Sequence, residues 1–220
     1  MLVIIKIVLC ALFMLWVLRQ VRKPTGPLGR RMLRAMNLTH APMTDWGMQH
    51  LPIQKSSTIL DIGCGGGRTV WRLAALAPEG KVHGVDYAAA SVAASQLTNA
   101  REIESGHVQV QLASVAALPF PDSTFDLVTA VETHYYWPDL PKNLREVLRV
   151  LKPGGTFALI AETHRDGWRG ALYAIPMWLI GATHLSDAEH KALLTQAGFA
   201  QVSTTQMPGK SWICALGRKP

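Results

Sequence analysis

"ILDIGCGGGRTV", residues 59–70, sets four glycines within five positions directly behind an apolar run. A glycine-rich turn between a strand and a helix lets backbone approach a small ligand closely, so the glycine spacing decides which ligand class fits. A phosphate-cradling loop needs Gly-x-x-x-x-Gly-Lys and then Ser or Thr. Counted from Gly63, the sixth and seventh positions are Arg68 and Thr69, so the closing glycine and the lysine are both missing. The dinucleotide fingerprint Gly-x-Gly-x-x-Gly wants its third glycine at position 68, where Arg68 stands, with Gly67 one residue early. The pattern that remains is Asp-x-Gly-x-Gly-x-Gly, from Asp61 to Gly67.

Outward from this loop, short apolar β-branched runs alternate with longer helical stretches, the signature of an α/β fold whose parallel sheet is covered on both faces. The pattern predicts strands over 58–62, 81–86, 108–112, 125–131 and 156–162, and helices over about 67–77, 89–104, 139–150 and 187–197. "FDLVTAV" (125–131) is continuously apolar after its acid, as a strand buried on both faces should be. "LKPGG" (151–155) ends one element and begins the next, because Pro153 cannot continue a helix and the glycines permit the turn. Upstream, "KPTGPLGRR" reads as a linker leading into a basic helix, with Pro27 suited to its first turn and Leu33 opposite Arg30, Arg31 and Arg34.

The charge is unevenly placed. Seven of the 22 Lys and Arg residues precede the first acid, Asp45, which leaves 15 basic against 15 acidic side chains in the remainder. The body is therefore neutral and lacks the basic stripe that a nucleic-acid partner needs. Residues 1–18, "MLVIIKIVLCALFMLWVL", are almost wholly apolar with Lys6 as their one charge, just long enough for a membrane-anchor helix. Arg19, Arg22 and Lys23 follow, placing the rest of the chain on the cytoplasmic side. A cleaved signal peptide is the competing reading, but its charge belongs ahead of the apolar run and no small-residue cleavage site follows Leu18. Cys10, Cys64 and Cys214 stand at no disulfide-framework or metal-ligand spacing, so no metal is expected.

With "ILDIGCGGG", "VHGVDY", "LPFPDSTFDLV" and "LREVLRVLKPGG" in this order, the chain resembles the class I S-adenosylmethionine-dependent methyltransferases, in particular the small-molecule subgroup called methyltransferase type 11. The resemblance covers residues 57 to about 162, with a weaker echo in "LSDAEHKALLTQAGF". It implies a Rossmann-like methyltransferase fold: a mostly parallel seven-stranded sheet with an antiparallel C-terminal strand and helices on both faces. It also implies three parts: the anchor at 1–18, a basic linker with N-terminal helices at 19–50, and a methyltransferase domain at 51–220 with a lid-like segment at 163–184. The cofactor would be S-adenosylmethionine, a sulfonium without phosphate, so the missing lysine is expected. Gly63, Cys64, Gly65 and Gly67 would then lie against it, with Asp61 near its ammonium end, Asp86 accepting both ribose hydroxyls, and Tyr87 flanking the adenine. Where relatives commonly carry Gly-Asp-Ala ahead of "LPF", this chain has Ala113, Ser114 and Val115; Ser114 accepts a hydrogen bond without charge assistance, which weakens the adenine contact. Glu132 would stand near the cofactor.

Methyl transfer is an in-line displacement with a good neutral leaving group, so the enzyme's work is alignment and exclusion of water. An acceptor hydroxyl or thiol still needs to lose a proton. In "VETHYYWPD", after the fourth strand, His134 has the right titration range for that base; its other reading is a structural or shape-determining role. Tyr135, Tyr136 and Trp137 would line the same region. The Asn/Asp-Pro-Pro-aromatic stretch found in many relatives that methylate exocyclic or amide nitrogen is absent here, which disfavours nucleic-acid and protein nitrogen. The lid-like segment carries Trp168 and Trp178, and residues 36–47, with His40 and Trp46, form a second wall, so the acceptor is expected to be small and lipophilic: quinone-like, phenolic, lipid or thiol. The alternatives are a non-catalytic S-adenosylmethionine-binding sensor or assembly protein, and a nicotinamide-dependent oxidoreductase, which Arg68 disfavours.

Overall fold

Each predicted β-branched run becomes a strand: β1 (Thr58–Ile62), β2 (Lys81–Asp86), β3 (Val108–Leu112), β4 (Phe125–Val131) and β5 (Leu151–Ala161). The computed structural model describes residues 5, 6, 9, 13, 16, 17 and 20–220. The anchor expected over residues 1–18 falls largely outside the described residues, and among those described no helix is long and apolar enough to cross a membrane. Two later strands, β6 (Ala200–Gln206) and β7 (Ile213–Arg218), complete a seven-stranded sheet in the order β3-β2-β1-β4-β5-β7-β6. β1 pairs parallel with β2 and β4, and β4 with β5. β7 pairs antiparallel with both β5 and β6, so it runs against the rest.

The chain winds outward from β1 through β2 to β3, then returns to lay β4 on the other side of β1. Open α/β sheets bind ligands at the carboxyl ends of the strands where the order reverses, and here that point lies between β1 and β4. Side chains alternate across the sheet: Ile59 and Leu127 pack on one face with Val70, Leu73 and Val82, while Leu60 and Val128 pack on the other with Leu144, Val147 and Leu194.

The covering helices are α1 (Gly26–Thr39), α2 (Ala41–Met48), α3 (Arg68–Leu76), α4 (Ala89–Thr98), α5 (Ala100–Glu104), α6 (Leu140–Val150), α7 (Gly167–Leu179) and α8 (Asp187–Ala197). In α1, Pro27 sits in the first turn and Leu33 is buried while Arg30, Arg31 and Arg34 are exposed, as the periodicity predicts. The single helix expected over 89–104 is broken at Asn99. Its buried side-chain amide donates to the carbonyls of Gly67 and Ser95, tying the glycine loop to α4. "LKPGG" is part of β5 rather than a turn before it: the parallel pairing with β4 shifts register between Phe125 and Leu127, which absorbs the Pro153 and glycine irregularity. α8 begins with a capping box, Ser186 accepting from the Glu189 N–H at 3.2 Å and Glu189 accepting from the Ser186 N–H at 2.7 Å.

Candidate functional site

A cavity of about 470 Å³ opens over the carboxyl ends of β1, β2, β4 and β5, in the size range of a small-molecule site. Its floor is the glycine loop. Gly63, Gly65 and Gly67 all have positive φ, at 75°, 51° and 84°. A Cβ on Gly63 would stand 2.2 Å from Thr133 Oγ1, so glycine there lets β1's loop pass under the loop that follows β4. Gly65 meets nothing closer than 3.9 Å, leaving its space to a ligand. Gly67 lines no part of the cavity; it packs on Ser95 and Asn99 instead.

Asp86, ending β2, faces the cavity and accepts from the Gly65 N–H at 3.0 Å and the Ala88 N–H at 2.8 Å. Burial pushes its carboxyl up against these hydrogen bonds. Asp61 lies below the loop, fully buried and outside the cavity lining, accepting from Thr129 Oγ1 at 2.7 Å; burial raises it to about 7. Cys64 lines the cavity, but burial pushes its thiol well above the usual range, so it is no nucleophile. Tyr87, Ser114 and Val115 also line the cavity. The Ser114 hydroxyl already accepts from the Ala116 N–H at 3.2 Å.

On the far side of the reversal point stands Glu132, with φ 57°, a conformation that costs about 1–3 kcal/mol for a non-glycine residue and persists where its surroundings demand it. Its Oε1 accepts from the Tyr135 hydroxyl at 3.1 Å and from the Glu162 N–H, and burial pushes its carboxyl up to about 8. Tyr135, Tyr136 and Trp137 line the cavity as expected.

His134 does not. Successive side chains in the 3₁₀ turn His134–Tyr136 diverge by about a third of a turn, which sends His134 into the core while its neighbours reach the cavity. It is wholly buried against the rings of Tyr135 and His190, and neither ring nitrogen has a partner among the described residues. Burial pulls its pKa well below the usual imidazole value. The expectation of a base at His134 is therefore corrected: the residue is wholly buried and lines no part of the cavity.

The second wall keeps His40 but not Trp46. His40, Thr44 and Asn37 line the cavity, whereas Trp46 packs against Trp212 and His50. The lid-like segment forms α7, and its tryptophans point away: Trp168 is 68% and Trp178 77% exposed. Tyr173 and Met177, on the opposite side of that helix, reach the cavity instead. Sequence reasoning also passed over Glu162, at the end of β5, and residues 20–25, where Val21, Arg22 and Pro24 close one side. That short strap is held by Gln20 accepting from the Thr25 N–H at 2.8 Å and by the Tyr87 hydroxyl donating to the Arg22 carbonyl. Arg22 and Lys23 were legible as cations, but nothing in their pattern tells that they lie over Tyr136 and Tyr87.

Residues 60–159 match the family model described as a methyltransferase domain. The demethylmenaquinone methyltransferase of Listeria monocytogenes is 32% identical over 175 residues, covering 77% of this chain and 71% of that protein. The 2-methyl-6-phytyl-1,4-hydroquinone methyltransferase of a Synechocystis species is 34% identical over 134 residues, covering 60% of this chain and 39% of that protein. In fold, the chain is similar to the methyltransferase solved in complex with the Trm112 activator of Haloferax volcanii, with TM-score 0.75 and 20% identity over 86% of this chain and 94% of the other. The cavity fits the cofactor of such enzymes. Its charged lining joins the carboxyls of Asp86, Glu132 and Glu162 with Arg22 and Arg68, no lysine stands among the described lining residues, and its glycine floor leaves room at Gly65.

Proposed function

We propose, from the premise that this chain belongs to the class I S-adenosylmethionine-dependent methyltransferases, that its acceptor is a small lipophilic phenol or hydroquinone. When bound, S-adenosylmethionine supplies an electrophilic methyl group on a sulfonium. In this proposal Gly63, Cys64 and Gly65 lie along the cofactor's amino-acid end, and Asp61 stands near its ammonium group from beneath the cavity floor. Asp86 accepts its ribose hydroxyls, and Tyr87, Ser114 and Val115 border its adenine. Each carboxylate oxygen has more than one lone pair, so Asp86 can keep its bonds to Gly65 and Ala88 while accepting the ribose. Tyr135, Tyr136, Tyr173 and Met177 exclude water on the acceptor side.

The observation that carries the acceptor class is α7. It lays Tyr173 and Met177 into the cavity and turns Trp168, Leu172, Ile175 and Trp178 outward, so one helix offers an apolar surface beside an aromatic-lined site. The acceptors named for the two relatives, a demethylated menaquinone and a phytyl hydroquinone, support the same class. We further propose that residues 1–18 hold the chain at a membrane with its catalytic domain on the cytoplasmic side, the reading supported by the apolar run and the cations behind it.

The test is incubation of the purified full chain with methyl-labelled S-adenosylmethionine and a membrane lipid extract, followed by mass spectrometry of the labelled products. Label in an aromatic lipid supports the reading; label confined to the aqueous fraction overturns it. For the anchor, deletion of residues 1–18 should move the protein from the membrane pellet to the supernatant, and an unchanged pellet fraction would contradict it.

A further inference from the structure

We propose that His40 is the general base for the acceptor and that Glu162 positions it, an inference that rests on the phenol-type acceptor proposed above. His40 stands at the joint of α1 and α2, where its backbone is fixed from both sides. Its N–H donates to the Met36 carbonyl at 3.0 Å, and its own carbonyl accepts from the Thr44 N–H and hydroxyl, each at 2.9 Å. Its imidazole lines the cavity with Nε2 3.7 Å from Glu162 Oε2, and one atom each of His40, Glu132 and Glu162 all lie within 4.8 Å of one another. The joint of two N-terminal helices, the loop behind β4 and the end of β5 thus deliver three titratable groups to the acceptor end of one cavity. Unlike the sealed His134, the His40 side chain is 24% exposed, so a proton taken from the acceptor can leave to solvent.

Glu132 decides between a proton-accepting pair and a metal site. Its carboxyl already accepts from Tyr135 and from the Glu162 N–H, and burial favours its neutral form, which is a poor ligand. One carboxylate and one imidazole remain. Burial pulls His40 below its usual range despite the opposing field of Glu162, so its ring is free base at neutral pH. The tyrosines whose fields reach Glu132 or Glu162 are Tyr135, Tyr136 and Tyr173, with Arg22 lying over the Tyr136 ring; burial raises all three tyrosines, which keep their protons through the neutral range.

In the step assigned, the acceptor hydroxyl passes its proton to His40, and the imidazolium is stabilised by the Glu162 carboxylate. The acceptor's freed electron pair, on oxygen or on the adjacent ring carbon, forms the new bond to the methyl carbon as the bond from that carbon to sulfur breaks, its electrons staying on sulfur. When the ring carbon is the nucleophile, the hydrogen it carried moves to the oxygen through solvent and the ring regains aromaticity. Either way one proton is released per methyl transferred, from His40 to water.

The experiment compares wild type, H40Q and E162Q with S-adenosylmethionine and two acceptors, dithionite-reduced demethylmenaquinone and 2-methyl-6-phytyl-1,4-hydroquinone. An NMR titration of the His40 ring in cofactor-free protein accompanies it. H40Q should lower turnover on the order of 10²- to 10⁴-fold. It should also remove the acid limb of the kcat profile, while S-adenosylhomocysteine affinity stays at the wild-type value and reports a folded site. E162Q keeps the backbone N–H that Glu132 needs, so the His40 titration and the acid limb should both move to lower pH together. An H40Q enzyme that keeps the wild-type rate or its acid limb overturns the base, as does turnover abolished by EDTA and restored by a divalent ion. A wild-type enzyme that methylates neither acceptor overturns the acceptor reading and the base with it.

Discussion

Glu132 stands half-buried on the cavity wall with its carboxyl largely shielded from solvent, and this has a consequence for stability. Its ordinary value is 4.5 and in the fold it is pushed up to about 8, so between those values the folded protein holds a proton that the unfolded chain has released. Stability from this group is therefore full below about pH 4.5 and is lost as pH rises towards 8. In cofactor-free protein, Glu132→Gln offers a carbonyl to the same Tyr135 and Glu162 donors without the ionisation. Its melting temperature should match wild type near pH 5 and exceed it near pH 8, read by calorimetry; a difference that stays flat with pH would contradict the assignment. Glycine substitutions separate strain from collision. Gly106→Ala, at φ 71° with open space around it, should cost about 1–2 kcal/mol. Gly63→Ala adds a clash with Thr133 to the same strain and should cost more, about 3–5 kcal/mol in denaturant titration.

At the scale of elements, the N-terminal helices are pinned to the glycine loop by the residue that excluded the two phosphate fingerprints. Arg68 Nη2 reaches Asp45 Oδ2 at 2.7 Å and Arg72 Nε reaches Asp45 Oδ1 at 3.0 Å, while Asn37 Nδ2 donates to the Gly66 carbonyl at 3.2 Å. These ion pairs are about one-third exposed, so each contributes at most about 1 kcal/mol. Asp45→Ala loses both pairs, so it should lower global melting by at most about 4–8 °C and open α2 locally, speeding proteolysis between residues 39 and 50; an unchanged cleavage rate would contradict the pin. The parallel strands and their helices were legible because burial on one or two faces writes a period into the sequence. β6 was not: "AQVSTTQ" is a polar edge strand, exposed along most of its length, and shows no such period. The candidate site was legible where chemistry follows backbone, as at Gly63, Asp86 and Glu132. It was misread where a side chain's direction decides: His134 carries the right titration range at the wrong depth, and Trp168 and Trp178 share a helix with Tyr173 and Met177 but occupy its outer side.

Over the whole molecule, the return of β4 to the far side of β1 divides the cavity into two halves. Asp86 and the glycine loop stand at the ends of β1 and β2, Glu132 and Glu162 at the ends of β4 and β5, and the N-terminal helices close over both. In the proposed function, a donor held on the first half and an acceptor brought to the second meet at the reversal point, with α7 as an apolar approach for the acceptor. The claim on which all of this depends is that the cavity at the reversal point holds the cofactor through Asp86. Calorimetric titration with S-adenosylhomocysteine tests it most directly. Wild type should bind stoichiometrically, and an Asp86→Ala protein that still melts cooperatively should bind between about ten- and a hundred-fold more weakly; wild-type affinity in that variant would contradict the assignment.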